Sequence, residues 1–268
     1  MTSRSTVVET LRAAGCVFAE EEAQLLMSAA RTPAELAAMV HRRTAGLPVE
    51  HVVGWAEFCG MHIAVEPGVF IPRRRSELLV SQAVSLAPLG AVVVDLCCGS
   101  GAVGAALRAA LDGVELYAVD LDPAAVRCAL RNLGTSAQVY EGDLYGPLSG
   151  SLRGRVDLVV ANAPYVPTDE VDLMPAESRM HEPHVALDGG SDGLDVVRRV
   201  ISGAGDWLAP GGHLLVEVSY RQSGKTVDAM ARHGLVPRVA NSDELNATVV
   251  VGHQPSSRES IGLPTADE

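Results

Sequence analysis

The chain has 268 residues, of which 47% are hydrophobic and 20% charged, enough apolar material for a substantial core and too much for a disordered chain. A formal net charge of −12 argues against a life on a nucleic-acid backbone or an anionic membrane. No apolar run approaches the roughly 20 residues of a spanning helix, and the stretch from Met1 to Ala14 lacks the apolar block of a signal peptide. Five cysteines without any Cys-x-x-Cys spacing speak against a zinc ribbon or a thioredoxin-type site and read as free thiols of a cytoplasmic protein.

The N-terminal region reads as short helices. Thr6 and Glu9 have capping-box spacing ahead of Leu11, and a second helix spans Glu20 to Ala30. Thr32, Pro33 and Glu35 form a helix start, with Gly46 as its stop. Trp55–Phe58 and Met61–Val65 then read as two strands joined at Cys59-Gly60, followed by a Glu66-Pro67-Gly68 turn. Ser76 is positioned to cap a helix running to about Leu86.

After Pro88 the pattern alternates. Val92–Leu96 is a near-continuous apolar run, as in a strand covered on both faces. It leads through Gly99-Ser100-Gly101 into a helix over Ala102–Ala110. Glu115–Val119, Gln138–Glu141, Val156–Ala161 and His213–Val218 are the further strands. Helices follow Asp122-Pro123, span Asp195–Leu208 and span Gln222–Arg232, and Val236–Val239 with Thr248–Val251 close the sheet as an antiparallel pair. Such alternation predicts an α/β fold with a mostly parallel sheet, whose ligands bind at the carboxyl ends of the strands. The expected organisation is a helical domain over 1–48, a β-hairpin linker over 49–75, the sheet domain over 76–252 and a frayed tail over 253–268.

The residues of interest fall at those strand ends. The glycines after Asp95-Leu96-Cys97-Cys98 let the backbone approach a ligand at a helix N-terminus. Gly99, Gly101 and Gly104 have dinucleotide-fingerprint spacing, but the acidic strand residue and the Cys-Cys pair fit that motif poorly, and no Gly-Lys-Ser/Thr makes it a P-loop. Asp120, about 20 residues on, is placed to accept hydrogen bonds from ribose hydroxyls. A cap or turn role is the plainer alternative, although Asp122 beside Pro123 is the better cap. Asp143 is either a turn aspartate or a contact for an adenine amine. This order of an acidic strand with Gly-x-Gly, a ribose carboxylate and a third acidic turn resembles the Rossmann-like, class I S-adenosylmethionine-dependent methyltransferases.

Asn162-Ala163-Pro164-Tyr165 resembles the Asn-Pro-Pro-Tyr motif of methyltransferases acting on planar nitrogens. An amide nitrogen is a poor nucleophile because its lone pair is delocalised. Two acceptors, the Asn162 side-chain oxygen and the carbonyl of Ala163, can hold its N–H bonds and aim its face at the methyl group, while the Tyr165 ring packs on the amide plane. Catalysis then rests on orientation and proximity and needs neither a strong base nor a metal.

Two more blocks narrow the resemblance. Val69-Phe70-Ile71-Pro72-Arg73 with Ser76-Glu77, and Glu182-Pro183 through Ala186-Leu187 to Gly189-Gly190-x-Asp192-Gly193-Leu194, are similar to segments of the protein-(glutamine-N5) methyltransferases, whose best-known members modify peptide chain release factors. The resemblance implies S-adenosylmethionine as cofactor, with S-adenosylhomocysteine as product, and a release-factor Gly-Gly-Gln glutamine as target. It implies catalytic roles for Asn162, Ala163, Pro164 and Tyr165. It implies cofactor binding by Arg73, Asp95, Cys97, Gly99, Gly101, Asp120, Leu121, Asp143, Leu144 and Asn162. In that family the N-terminal helices help recognise the protein substrate. Departures are Ala163 for Pro, Arg74-Arg75 for Pro-x, Ser76 for Thr, the Cys97-Cys98 pair, and Ala247-Thr248-Val249 where the family has an Arg-Val ending. A ribosomal-protein glutamine methyltransferase, a DNA or RNA amine methyltransferase and a non-catalytic cofactor-binding protein are the alternatives. The acidic charge and the lack of a basic insert weigh against stable nucleic-acid binding, and no membrane partner is expected.

Overall fold

In the computed structural model, which describes residues 3–256, local sequence signals set most element boundaries. Helices α1 (Arg4–Ala13), α2 (Ala19–Ala29), α3 (Pro33–Thr44) and α4 (Val49–Val53) turn Val7, Leu11, Ala23, Leu26 and Met39 into a core of their own. The expected Thr6 cap is displaced. Ser3 is extended and accepts the Thr6 N–H at 3.2 Å, so α1 begins earlier and Thr6 lies within it. At α3 Thr32 caps as its sequence predicts, accepting the Glu35 N–H at 3.1 Å. Inside this bundle Arg43 grips Glu22 at 2.6 and 3.0 Å and reaches Glu177, far along the chain, at 2.7 Å.

Strands β1 (Trp55–Phe58) and β2 (Met61–Ala64) form an antiparallel hairpin. Cys59 and Gly60 both take positive φ, as a tight two-residue turn between twisted strands demands. A 3₁₀ turn over Arg74–Ser76 precedes α5 (Glu77–Leu86). Ser76 makes no capping bond there; its hydroxyl is used elsewhere.

The rest alternates as β3 (Val92–Leu96), α6 (Ala102–Ala110), β4 (Glu115–Asp120), α7 (Pro123–Leu133), β5 (Gln138–Glu141) and β6 (Val156–Ala161). Then come α8 (Ala176–His181), α9 (Asp195–Trp207), β7 (Leu208–Val218), α10 (Ser223–Arg232), β8 (Val236–Ser242) and β9 (Ala247–His253). Seven strands lie in the order β5-β4-β3-β6-β7-β9-β8. The first five are mutually parallel, and β9 runs antiparallel between β7 and β8. This is the class I methyltransferase sheet.

Alternate residues face opposite layers. Val94, Val159, Leu214 and Val216 pack against Val197, Ile201 and Trp207 of α9. Val93, Leu158, Val160 and Leu215 pack against Leu79 of α5, Leu107 of α6 and Leu133 of α7. The chain moves outward from β3 through β4 to β5, then returns to the other side of β3 with β6. The gap between the ends of β3 and β6 is therefore the topological switch point, where such sheets bind ligands. At the other edge His253 is still in β9, and Gln254 exchanges backbone hydrogen bonds with Gly211 and Gly212. His253 and Gln254, expected to open a frayed tail, are thus held by the sheet, and residues 257–268 of that expected tail lie outside the described residues.

Candidate active site

A cavity of about 620 Å³ opens at the switch point, a volume suited to a cofactor-sized ligand. Every residue expected to bind the cofactor or to act in catalysis lines it except Gly101. Gly101 has φ +77° and its missing Cβ would sit 3.2 Å from Ala129 of α7, so a side chain there would crowd that helix.

The loop after β3 is held by charge at both ends. Asp95 is fully buried in the strand and accepts the Gly104 N–H in the first turn of α6 at 3.0 Å. Burial pushes its carboxyl up to about 7, with Asp120 adding to the rise. Asp120, at the end of β4, accepts the Gly99 N–H on Oδ2 at 2.8 Å and the Asp122 N–H on Oδ1 at 2.9 Å. Burial raises this carboxyl too, and those two N–H groups oppose the rise by favouring the charged form. Asp122 is the helix cap, accepting the Ala124 N–H, which leaves Asp120 with unused lone pairs at the cavity wall.

Cys97 and Leu144, non-glycine residues on the wall, both take positive φ. Such strain is held in place only by a rigid surround. Burial drives the Cys97 and Cys98 thiols well up, so both stay protonated and are poor nucleophiles. Asp143 does not stand free: Arg199 of α9 holds it at 2.5 Å. Leu121 is half-exposed at the rim.

Beyond β6, Asn162 donates from Nδ2 to the Ser76 hydroxyl at 3.2 Å. Ala163 is buried, with 1% of its surface exposed. The Tyr165 hydroxyl donates to the Glu217 carboxylate at 3.2 Å. Burial and that carboxylate raise the Tyr165 pKa, so the ring is a neutral wall and not a base.

The Gly-Gly-Ser-Asp-Gly-Leu block clamps this turn from behind. A Cβ on Gly189 would lie 2.6 Å from the Pro164 carbonyl, and one on Gly193 would collide with the Tyr165 carbonyl. Only glycine lets the two backbones approach so closely. Gln222 completes the clamp, donating to the Tyr165 carbonyl at 2.8 Å and the Asp192 carbonyl at 3.1 Å.

Arg73 lines the cavity with its charge already committed. It ion-pairs with the fully buried Glu182 side chain, reaches Ser178 at 3.3 Å and lies over the Phe70 ring at 5.3 Å. It therefore staples the segment around α8 to the cavity wall that it also lines. Reading the sequence alone misses Ser76, Glu217, Gln222 and Arg199 as parts of the site. A lone acid in Leu214-Leu215-Val216-Glu217-Val218 is the one local signal that was available.

The residues present fit S-adenosylmethionine: a buried carboxylate with spare lone pairs for a ribose, a glycine turn for close backbone approach, and a cavity of the right size. The fold and site define an S-adenosylmethionine-dependent methyltransferase. The family model described as Methyltransferase small domain matches residues 60–191. The release factor glutamine methyltransferase of Geobacter sulfurreducens is 38% identical over 226 residues, covering 82% of this chain and 78% of that one. That of Mycolicibacterium smegmatis is 38% identical over 257 residues, covering 87% and 91%. The chain belongs to the release factor glutamine methyltransferase family. Among solved structures, a methyltransferase from Pyrococcus furiosus superposes with a TM-score of 0.56 at 14% identity, over 82% of this chain and 98% of that one. A ribosomal protein L11 methylase from Lactobacillus delbrueckii subsp. bulgaricus gives 0.52 at 15% identity, over 72% and 85%. At these identities the likeness speaks for the fold alone.

Proposed function

We propose that this chain methylates the side-chain amide nitrogen of a glutamine in a cytoplasmic peptide chain release factor, the glutamine of its Gly-Gly-Gln loop. The observation that carries the reading is the Asn162–Tyr165 turn. Its amide donor side is occupied by Ser76, so the Asn162 Oδ1 and the Ala163 carbonyl remain as two acceptors for a substrate NH₂ group. The relatives' shared name supplies the target.

In this reading Asp120 holds the ribose, the Gly99 turn approaches the cofactor backbone-first, and Asp143 with Arg199 borders the base. Bound S-adenosylmethionine supplies an electrophilic methyl group on a sulfonium. Asn162 and Ala163 hold the amide N–H bonds, and Tyr165 sets the amide plane. Near-attack geometry of this kind contributes several kcal/mol of barrier lowering. The neutral Tyr165 and protonated cysteines leave no strong base, and none is required before transfer, because the proton is lost from a nitrogen that becomes acidic on methylation.

The test is mass spectrometry of an unmethylated release factor incubated with S-adenosylmethionine and the purified chain. One added methyl on the Gly-Gly-Gln glutamine is expected, with a loss of about 10²–10³-fold in kcat for Asn162→Ala. An unmodified release factor alongside normal cofactor binding would refute this target.

A further inference from the structure

Helix α7 meets both the cofactor turn and the hairpin at one residue that the chemistry above does not use. Asn132 lies in the last turn of that helix. Its Oδ1 accepts the Ala64 N–H of β2 at 2.9 Å, and its Nδ2 donates to the Ala64 carbonyl at 2.9 Å. The same nitrogen donates to the Ser100 carbonyl at 2.8 Å. Ala64 is 68 residues away in sequence and Ser100 is 32. An amide side chain carries two donors and an acceptor oxygen. All are spent on joining one strand residue to the centre of the Gly99-Ser100-Gly101 turn.

Close packing makes the link possible. A Cβ on Gly101 would stand 3.2 Å from Ala129 and Leu133 of α7, and this approach brings the Ser100 carbonyl within reach of Asn132. On its other side the turn is held by Asp120, which accepts the Gly99 N–H at 2.8 Å. The turn is thus pinned from β4 through an N–H and from α7 through a carbonyl. Ser100 is buried and lines the cavity. Ala64 stands off the cavity, but in the chain it lies between Phe58 and Phe70, which both line it.

We infer that Asn132 is a positioning residue that couples cofactor binding to the order of the hairpin. The inference rests on the reading of the Gly99 turn as the cofactor's seat. A cofactor packed on that turn restrains the Ser100 peptide. Asn132 passes the restraint to Ala64, and so to the hairpin and the chain leading to Phe70. The coupling is reciprocal, so an ordered hairpin strengthens cofactor binding by the same factor. Two walls of the cavity, built from distant segments, respond as one body. Cys128, one turn earlier on α7, provides an internal comparison. Its thiol donates to the same Ala64 carbonyl at 3.1 Å, a bond to the hairpin that bypasses Ser100.

The test uses the full-length chain and S-adenosylhomocysteine without any release factor, so the target reading and this inference fail separately. In wild type, saturating S-adenosylhomocysteine should slow exchange of the Ala64 amide hydrogen about five- to tenfold. Unaltered exchange there overturns the inference before any variant is made. Asn132→Asp keeps an oxygen for the Ala64 N–H and loses both donors, and Asn132→Ala removes the link without adding charge. Each should weaken S-adenosylhomocysteine binding about tenfold and cut the ligand-induced slowing at Ala64 to less than about twofold. Cys128→Ala should speed hairpin exchange in the free protein, yet keep the ligand-induced slowing and an affinity within about twofold of wild type. Equal losses of affinity in Cys128→Ala and the Asn132 variants would make Asn132 a structural anchor only, and overturn the inference. Asp120→Ala separates the cofactor reading from the coupling. Affinity lost in Asp120→Ala but kept in the Asn132 variants overturns the coupling alone, and affinity kept in all of them overturns the reading of the turn with it.

Discussion

The Gln222 carboxamide binds the Tyr165 carbonyl at 2.8 Å across 57 residues of chain. Its oxygen accepts from the Ser219 N–H at 3.0 Å and the Ser219 hydroxyl at 2.7 Å, and its nitrogen also reaches the Asp192 carbonyl. One side chain thus joins the end of β7, the glycine-rich clamp and the Asn162–Tyr165 turn. Gln222→Leu would strand three backbone polar groups in a dry site. Each stranded group costs about 1–3 kcal/mol, with partial relaxation. Urea denaturation should show a loss of about 2–4 kcal/mol, accompanied by reduced kcat. An unchanged midpoint would mean that the turn is held by other contacts.

The clamp itself depends on glycine. At Gly193, φ is +74° and a Cβ would collide with the Tyr165 carbonyl. Gly193→Ala should destabilise by at least about 2 kcal/mol. Gly224 is exposed in α10, with open space where its Cβ would point. Gly224→Ala should instead stabilise by about 0.5–1 kcal/mol. Thermal melts of the two variants should move in opposite directions.

Asp95 makes stability depend on pH with a defined sign. Its carboxyl is raised by burial from 3.8 to about 7, so the folded protein binds this proton more tightly than the unfolded chain does. The contribution is therefore complete below about pH 3.8 and is lost as pH rises through about 7. Asp95→Asn removes the titration and still offers an oxygen to the Gly104 N–H. The variant should gain on wild type by about 1 kcal/mol per pH unit within that window. Urea curves for both proteins at pH 5, 6, 7 and 8 test this, and parallel profiles would sink it.

Arg73 and Glu182 are expected to be coupled. Glu182 is fully buried, with one oxygen unbonded, and Arg73 is its counter-charge. Arg73→Met should cost about 2–4 kcal/mol, because it leaves a buried charge alone. Arg73→Met with Glu182→Leu should be less damaging than the sum of the single changes, by at least about 1 kcal/mol. Strict additivity in the double-mutant cycle would show that the pair does not anchor the α8 segment.

Local chain chemistry was enough to read most of the architecture. Apolar runs marked β3 and β6, Thr32-Pro33 and Asp122-Pro123 marked helix starts, and alternation marked the parallel sheet. The Asn162–Tyr165 turn was also legible, because the residues proposed to hold a substrate amide are neighbours in sequence. Such features depend on spacings of a few residues, which periodicity and capping rules capture. The supports of that turn were not legible. Ser76 looked like a helix cap and instead receives the Asn162 amide across 86 residues. Arg73 lines the cavity, and its pairing with Glu182 across 109 residues is invisible in the local sequence. Gly101 had the spacing of a ligand loop and packs on α7. In each case several local roles were open to the same side chain. The choice fell to whichever buried polar group or close backbone needed a partner once the sheet had formed, and only the tertiary structure decides that, because desolvation is a property of the assembled core.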